Sequence, residues 1–263
     1  MNDEVKPGTS PLRPAWQWTP ALLSIIFATL ILLTNTNHAL FALINHWYIY
    51  TGDTLWSNLT SLADTLVAVV LLLPFCGRRP DILRAFLIAS IFSTLWVHLL
   101  KVTLAIPRPA AVLPAIDIHI VGPVLHMGSF PSGHTTTAFT VAAVCGLMLG
   151  NRTFLALVIL MATLAGLSRI VVGAHWPLDV LAGAFGGWLS AVAGIHLARY
   201  WPAGCSLVTQ RIFALFLLLC AVVLATGYDT RYPNSTWLVT LIGITCPLLA
   251  IPGLLRLWRG HSV

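Results

Sequence analysis

An all-α, polytopic transmembrane helical bundle is the fold class this sequence predicts, and three observations carry that reading. Of the 263 residues 58% are hydrophobic and only 8% charged, against about 25% charged in soluble domains. Apolar stretches of near-spanning length recur from one end of the chain to the other. No linker, internal repeat or low-complexity segment separates them, so the spans read as a single membrane domain. The formal charge of +6 is compatible with a nucleic-acid partner, but the basic residues form no aromatic-rich patch, which sets nucleic acid aside.

Taken in order, the first span is expected at 19–37. Lys6 and Arg13 precede its apolar run Ala21–Leu33, an arrangement also found in cleaved signal peptides. The chain continues Thr34-Asn35-Thr36-Asn37-His38 with no small-residue cleavage site, so the run reads as a membrane anchor. His38–Leu59 mixes apolar residues with His46, Trp47, Tyr48, Tyr50 and Trp56. Aromatic residues favour the membrane–water boundary, and an interfacial segment is expected there. Further spans are expected at 60–76, 82–106, 132–150, 152–172, 177–199, 212–228 and 237–256. Cys76, Cys145, Cys205, Cys220 and Cys246 lie in or beside these spans without metal-site or paired spacing, which argues against a disulfide framework or a zinc site.

Eight spans return both termini to one side. That side collects Lys6, Arg13, Arg78, Arg79, Arg84, Arg152, Arg199, Arg211, Arg256 and Arg259; the other holds Lys101, Arg108, Arg169 and Arg231. Excess Lys and Arg marks the cytoplasmic side. Both termini are therefore expected in the cytoplasm, and the minority side faces outward, to the periplasm or its equivalent.

Three of the four outward cations belong to short motifs. Lys101 stands near the outer end of the third span, and Arg108 follows seven residues on, two helical turns along the same face. Pro107 and Pro109 flank Arg108 and end the helix nearby. A cation this deep is expensive and usually functional, although either residue alone also reads as a snorkelling lysine or a loop arginine. His98, one turn before Lys101, reads as a packed or partnered histidine. Pro131-Ser132-Gly133-His134 opens the fourth span. Ser132 suits an N-cap, Gly133 admits a ligand close to the backbone, and His134 shares the first turn. Free amides at such an end attract an anion. The plainer reading is a serine cap with an interfacial histidine. Thr135, Thr136 and Thr137 read as packing residues. Ser168-Arg169 ends the fifth span, and His175, Trp176, Pro177 and Asp179 follow. Pro177 fits the first turn of a new helix. A carboxylate four residues after His175 can hold one ring nitrogen and leave the other as nucleophile, whereas a plain helix cap would explain Asp179 alone. All three motifs fall at outer span ends, and together they assemble three cations and a helix N-terminus around one phosphate.

On these residues the chain resembles the type 2 phosphatidic acid phosphatase (PAP2) family, whose core is shared with vanadium haloperoxidases and bacterial acid phosphatases. Lys101 with Arg108-Pro109, Pro131-Ser132-Gly133-His134, and Ser168-Arg169 with His175 and Asp179 stand at the family spacing. The resemblance covers Lys101 to about Arg199. It implies a six-helix PAP2-like core over residues 1–200; the two further spans in residues 201–263 depart from the family pattern and read as an additional hairpin of the same membrane domain. It further implies that His175 is the nucleophile, Asp179 its orienting partner and His134 the general acid. Lys101, Arg108, Ser132, Gly133 and Arg169 would hold the phosphate.

No cofactor or metal is expected. Glu4 is the sole glutamate, and outside the N-terminal tail no two acidic residues lie within one helical turn, so the clustered ligands of divalent-metal phosphatases are missing. The expected activity is hydrolysis of a membrane lipid phosphate or diphosphate, with undecaprenyl diphosphate, phosphatidylglycerol phosphate, phosphatidic acid and lipid A phosphates as candidates. Transfer of the phosphoryl group to a lipid acceptor is the alternative. A transporter or structural bundle would leave the motif conjunction to coincidence. The loop 110–130, with Asp117, His119 and His126, is expected to shape substrate choice. The sequons at Asn58 and Asn234 carry no weight, because the short loops and the cysteine pattern fit a bacterial inner membrane. The partners implied are the bilayer and its lipid phosphate; the sequence specifies no oligomeric state.

Overall fold

The structure is a computed structural model that describes residues 14–201 and 206–260; Lys6, Arg13 and Cys205 fall outside them. The described chain is helical, with no strand among the described residues. In order the helices are α1 (Pro14–Thr34), α2 (Asn37–Asn45), α3 (Tyr48–Thr51), α4 (Asp53–Leu62), α5 (Thr65–Val70), α6 (Pro80–Leu104), α7 (Pro109–Val112), α8 (Gly133–Leu149), α9 (Arg152–Val171), α10 (Pro177–Ala198), α11 (Leu207–Ala225) and α12 (Thr236–Trp258). Six of them (α1, α6, α9, α10, α11 and α12) are long and apolar enough to cross a membrane. The expected all-α transmembrane bundle is borne out.

The boundaries follow from local chemistry. Pro80 and Pro177 occupy first-turn positions of α6 and α10, where a missing N–H costs nothing. Ser132, Asn151 and Ser206 cap α8, α9 and α11 through side-chain oxygens that accept backbone N–H groups three residues on. Gly150, at φ 68°, ends α8.

Two expected elements differ. The second expected span is not one straight helix: α4 and the stretch 65–75 are together apolar enough to cross a membrane but meet at 56°. The break falls where Asp64 accepts the Leu66 N–H at 2.8 Å and starts a new helix. The polar face of α4 points inward: Ser57, Thr60 and Ser61 are buried, as is Trp56. The seventh span begins at Leu207 instead of 212. Gln210 is buried, and Arg211 donates to the Leu257 carbonyl at 3.2 Å, which joins α11 to the end of α12. The fourth span is also short, with 17 residues in α8, or about 25 Å against roughly 30 Å of hydrocarbon.

α10 is the hub. It packs on α8, α6 and α1. Glycine makes the approach possible at Gly183 and Gly187, where a Cβ would lie 2.6 Å from the Ser132 carbonyl and 2.3 Å from that of Thr136. Small residues that let backbones meet are the usual currency of helix packing in lipid. Trp188 is fully buried, and its indole donates to the Gln17 carbonyl at 2.7 Å, tying the start of α1 to the middle of α10. The α11–α12 pair docks on α5 and on the turn after it, with the Gly77 and Gly253 backbones in close approach. Large apolar side chains such as Leu22, Ile26, Leu33, Leu219 and Leu249 face outward. Cys76, Cys145, Cys220 and Cys246 are buried free thiols.

Gly187→Ala forces the α8–α10 interface apart. Overpacking of this kind costs about 1–3 kcal/mol, which lowers the unfolding temperature in detergent by roughly 5 °C; an unchanged temperature would show that the interface has slack.

Candidate active site

One end of the bundle gathers the C-termini of α6 and α9, the N-termini of α8 and α10, and the loops between them. Gly173 lies in the turn after α9 at φ 75°, and a Cβ there would sit 2.5 Å from the His119 carbonyl. Only glycine suits both the angle and the approach. The chain doubles back at this point, and the Ala174 and His175 N–H groups both bond to the Arg169 carbonyl, at 3.0 and 3.1 Å. His175 is thereby fixed beside the last turn of α9. Trp176 locks the turn from outside: it stacks on His38 at 4.5 Å and donates to the Pro107 carbonyl at 3.0 Å.

His175 is 2% exposed, as is Asp179. Its Nδ1 lies 3.4 Å from Asp179 Oδ2, and its Nε2 lies 3.3 Å from Nη1 of Arg108. Asp179 Oδ2 also accepts the Trp176 N–H at 2.8 Å and the Ser129 hydroxyl at 2.5 Å. The carboxylate is thus held from two further sides while it faces one ring nitrogen. The other nitrogen points at a guanidinium.

Arg108 reaches this place by a route the spacing did not predict. α6 stops at Leu104 with Ala105 in a left-handed conformation, so Arg108 is not on the same helix face as Lys101. It sits in an extended segment just before α7. Nε donates to the Met127 carbonyl at 3.0 Å, Nη1 to that of Ala174 at 2.9 Å and Nη2 to that of Gly128 at 3.3 Å. These neutral acceptors aim the cation without cancelling its charge. Arg169, 2% exposed, donates from Nη1 to Thr60 Oγ1 and to Tyr232 Oη, each at 2.6 Å; its buried Nε has no partner among the described residues. Lys101 is half-buried on the last turn of α6.

Ser132 is fully buried. Its hydroxyl accepts from the Thr135 N–H at 3.4 Å and from the Thr135 hydroxyl at 2.9 Å, and its N–H bonds to the Asp179 carbonyl at 3.0 Å. Thr135 and Thr136 are likewise buried in that turn. Gly133 and His134 follow at the start of α8. Both line a cavity of about 480 Å³ between α6, α8 and α11, together with Val97, Thr137 and an exposed His98. A second cavity, of about 620 Å³, opens between α1, α6 and α10 and is walled by Trp96, Phe130, Trp176 and Phe185. It touches the cluster only at Asp179.

Burial first, and then the charges of Arg108, Arg169 and Lys101 with His134, hold the His175 imidazole well below the usual histidine range. The ring is therefore neutral, with Nε2 facing Arg108 and with Arg169 and Lys101 near enough to act on it electrostatically. A low-dielectric site with three positive side chains and one carboxylate is short of negative charge. An anion would supply it, and a neutral imidazole beside it has the chemistry of a nucleophile. The structure thus brings Lys101, Arg108, Arg169, His134, His175 and Asp179 to one end of the bundle beside the Ser132–Gly133 cap. Sequence reasoning missed Ser129, Thr60 and Tyr232. Thr60 stood out only as part of a sequon, and no spacing rule links the other two to the motifs. His119 does not join the cluster: it pairs with Asp53 at 2.8 Å and stacks on Tyr48 at 3.5 Å.

Residues 82–203 match the sequence profile of the PAP2 superfamily. An undecaprenyl-diphosphatase of Sulfolobus acidocaldarius is 30% identical over 68% of this chain and 90% of its own. A lipid A 1-phosphatase of Rhizobium etli is 44% identical over 27% of this chain and 30% of its own length, so the chain spans about a third of that relative. The crystal structure of Aquifex aeolicus LpxE superimposes with a TM-score of 0.57 at 33% identity, covering 61% of this chain and 94% of that one.

A charged imidazole at residue 175 is disfavoured by burial and by its cationic neighbours alike, so its protonation lies to the acid side of an ordinary histidine. With no anion added, ¹⁵N-histidine spectra assigned through a His175→Gln variant should show that ring still neutral at pH 6. An imidazolium signal there would contradict the electrostatics described.

Proposed function

Because the chain belongs to the PAP2 superfamily, we propose that it is an integral membrane lipid phosphatase acting through a phospho-histidine. The observation that carries this reading is the placement of His175: one ring nitrogen faces Asp179, the other faces Arg108, and Arg169 and Lys101 lie close by.

Lys101, Arg108 and Arg169 hold the substrate phosphate, with the Gly133 end of α8 adding backbone donors. Asp179, braced by Ser129 and the Trp176 N–H, keeps the proton on Nδ1 of His175. Nε2 attacks phosphorus, the P–O bond to the lipid breaks, and the clamp neutralises charge on the equatorial oxygens. Once the substrate's negative charge offsets the neighbouring cations, His134 takes up a proton and gives it to the departing oxygen. It then takes one from water, which attacks the phospho-histidine, releases inorganic phosphate and restores the free imidazole. No metal enters these steps; among the described residues no three His, Cys, Asp or Glu side chains are grouped as a metal would require.

The relatives' names point to lipid A 1-phosphate or undecaprenyl diphosphate as the substrate class. The cavity beside His134 lies between membrane helices, where a lipid tail can remain while the head group reaches the clamp. We place this end on the periplasmic face of a bacterial inner membrane. Arg78, Arg79, Arg84, Arg152, Arg199, Arg211, Arg256 and Arg259 lie at helix ends opposite the site, as the positive-inside rule requires of a cytoplasmic face. In this reading α1 begins and α12 ends on that face, which the Gln17–His196 contact at the end of α10 and the Arg211–Leu257 contact support. Residues 1–200 make up the catalytic core in this reading, and residues 201–263 an appended hairpin.

The test is phosphate release by purified protein from a panel of lipid phosphates. His175→Ala should insert and fold yet release none; retained turnover would reject the nucleophile. Arg108→Ala should lower the rate by about 10²–10³. EDTA should leave the rate unchanged, and loss of activity reversed by a divalent cation would reject the metal-free scheme.

A further inference from the structure

The hairpin α11–α12 lies outside the motifs, yet its outer loop reaches the clamp. We propose that Tyr232, in that loop, is a positioning residue for Arg169, so that anion binding by the core depends on the appended hairpin. The proposal rests on the reading of Arg169 as a phosphate ligand.

The contact is direct. Arg169 Nη1 donates to Tyr232 Oη at 2.6 Å, and the guanidinium carbon lies 5.4 Å from the centroid of the same ring. Thr60 Oγ1 accepts from the same nitrogen at 2.6 Å. Both acceptors are neutral hydroxyls. A carboxylate in either place would orient the arginine but also satisfy its charge; a phenol and an alcohol orient it and leave the charge for a ligand. The unpartnered Nε remains on the same buried group.

The loop is built to hold the tyrosine. Arg231 takes a left-handed conformation at φ 62°, with its N–H on Asp229 Oδ1 at 2.7 Å. Thr230 Oγ1 accepts the Tyr232 N–H at 3.3 Å, and Ser235 donates to the Tyr232 carbonyl at 2.9 Å. Asn58 of α4 donates to the Asn234 carbonyl at 3.2 Å, and Tyr228 donates to Asp64 at 2.9 Å. The core in turn makes room for the ring: a Cβ on Gly122 would lie 2.7 Å from it. The ring joins a buried cluster with Trp56, Val121 and Val172.

A tyrosine that merely packs would be indifferent to its hydroxyl. Tyr232→Phe keeps the ring and removes the acceptor. Tyr228→Phe removes one hydrogen bond between the same loop and the core, away from the clamp, and serves as the control. The measurement is the dissociation constant of orthovanadate, titrated calorimetrically into the full-length protein in detergent, with unfolding temperatures alongside. Tyr232→Phe should weaken vanadate about tenfold and lower kcat/KM in parallel, while Tyr228→Phe stays within about twofold and both variants unfold near the wild type. Equal affinity in wild type and Tyr232→Phe overturns the proposal. So does equal weakening by both variants, which would mean general loosening of the hairpin, and so does a wild type that binds no vanadate. If the wild type binds vanadate but hydrolyses no lipid phosphate, the phosphatase reading fails, and the ratio of the dissociation constants still decides the role of Tyr232.

Discussion

Positive charge held out of water beside a neutral imidazole is the constraint on which the rest of the structure depends. Arg108 and Arg169 are 6% and 2% exposed, and the nearby carboxylate of Asp179 is engaged by Ser129, Trp176 and His175. Burying cations in this ratio is unfavourable in the empty protein. Under the proposed function an arriving oxyanion would offset that cost, and more so as charge develops during transfer, so the fold would hold a preorganised site.

The bundle supplies the stiffness this requires. α10 approaches α8 and α6 closely through its glycines, so the ends of these helices have little freedom relative to one another. The site groups belong to those ends or to loops stitched onto them. Arg108 is held by three backbone carbonyls of two different loops. Asn45 ties the outer loop to the end of α9, donating to the His119 and Val171 carbonyls at 2.9 and 2.8 Å and accepting the His119 N–H at 2.9 Å.

Much of this was legible in the sequence because the chain is so apolar. Against a background of 8% charged residues, Lys101, Arg108, Arg169 and Asp179 stand out, and their positions at span ends follow from apolar length alone. The 175–179 spacing was enough to anticipate the histidine–carboxylate pair. The bend between α4 and α5 was not legible, since apolar length alone does not reveal the break at Asp64 or that Thr60 turns inward to Arg169. The start of α11 was obscured by Gln210 and Arg211. Ser129, Thr60 and Tyr232 join the cluster through contacts between segments 50 to 109 residues apart, and local pattern carries no signal of that kind.

The central claim is that separate stretches of the chain converge on one anion in line with the free nitrogen of His175. A crystal structure with orthovanadate bound tests it most directly. The account predicts vanadium bonded to Nε2 of His175, with its equatorial oxygens on Lys101, Arg108, Arg169 and the N-terminal amides of α8. Vanadate bonded to His134, or seated where fewer than two of those cations touch it, would contradict it.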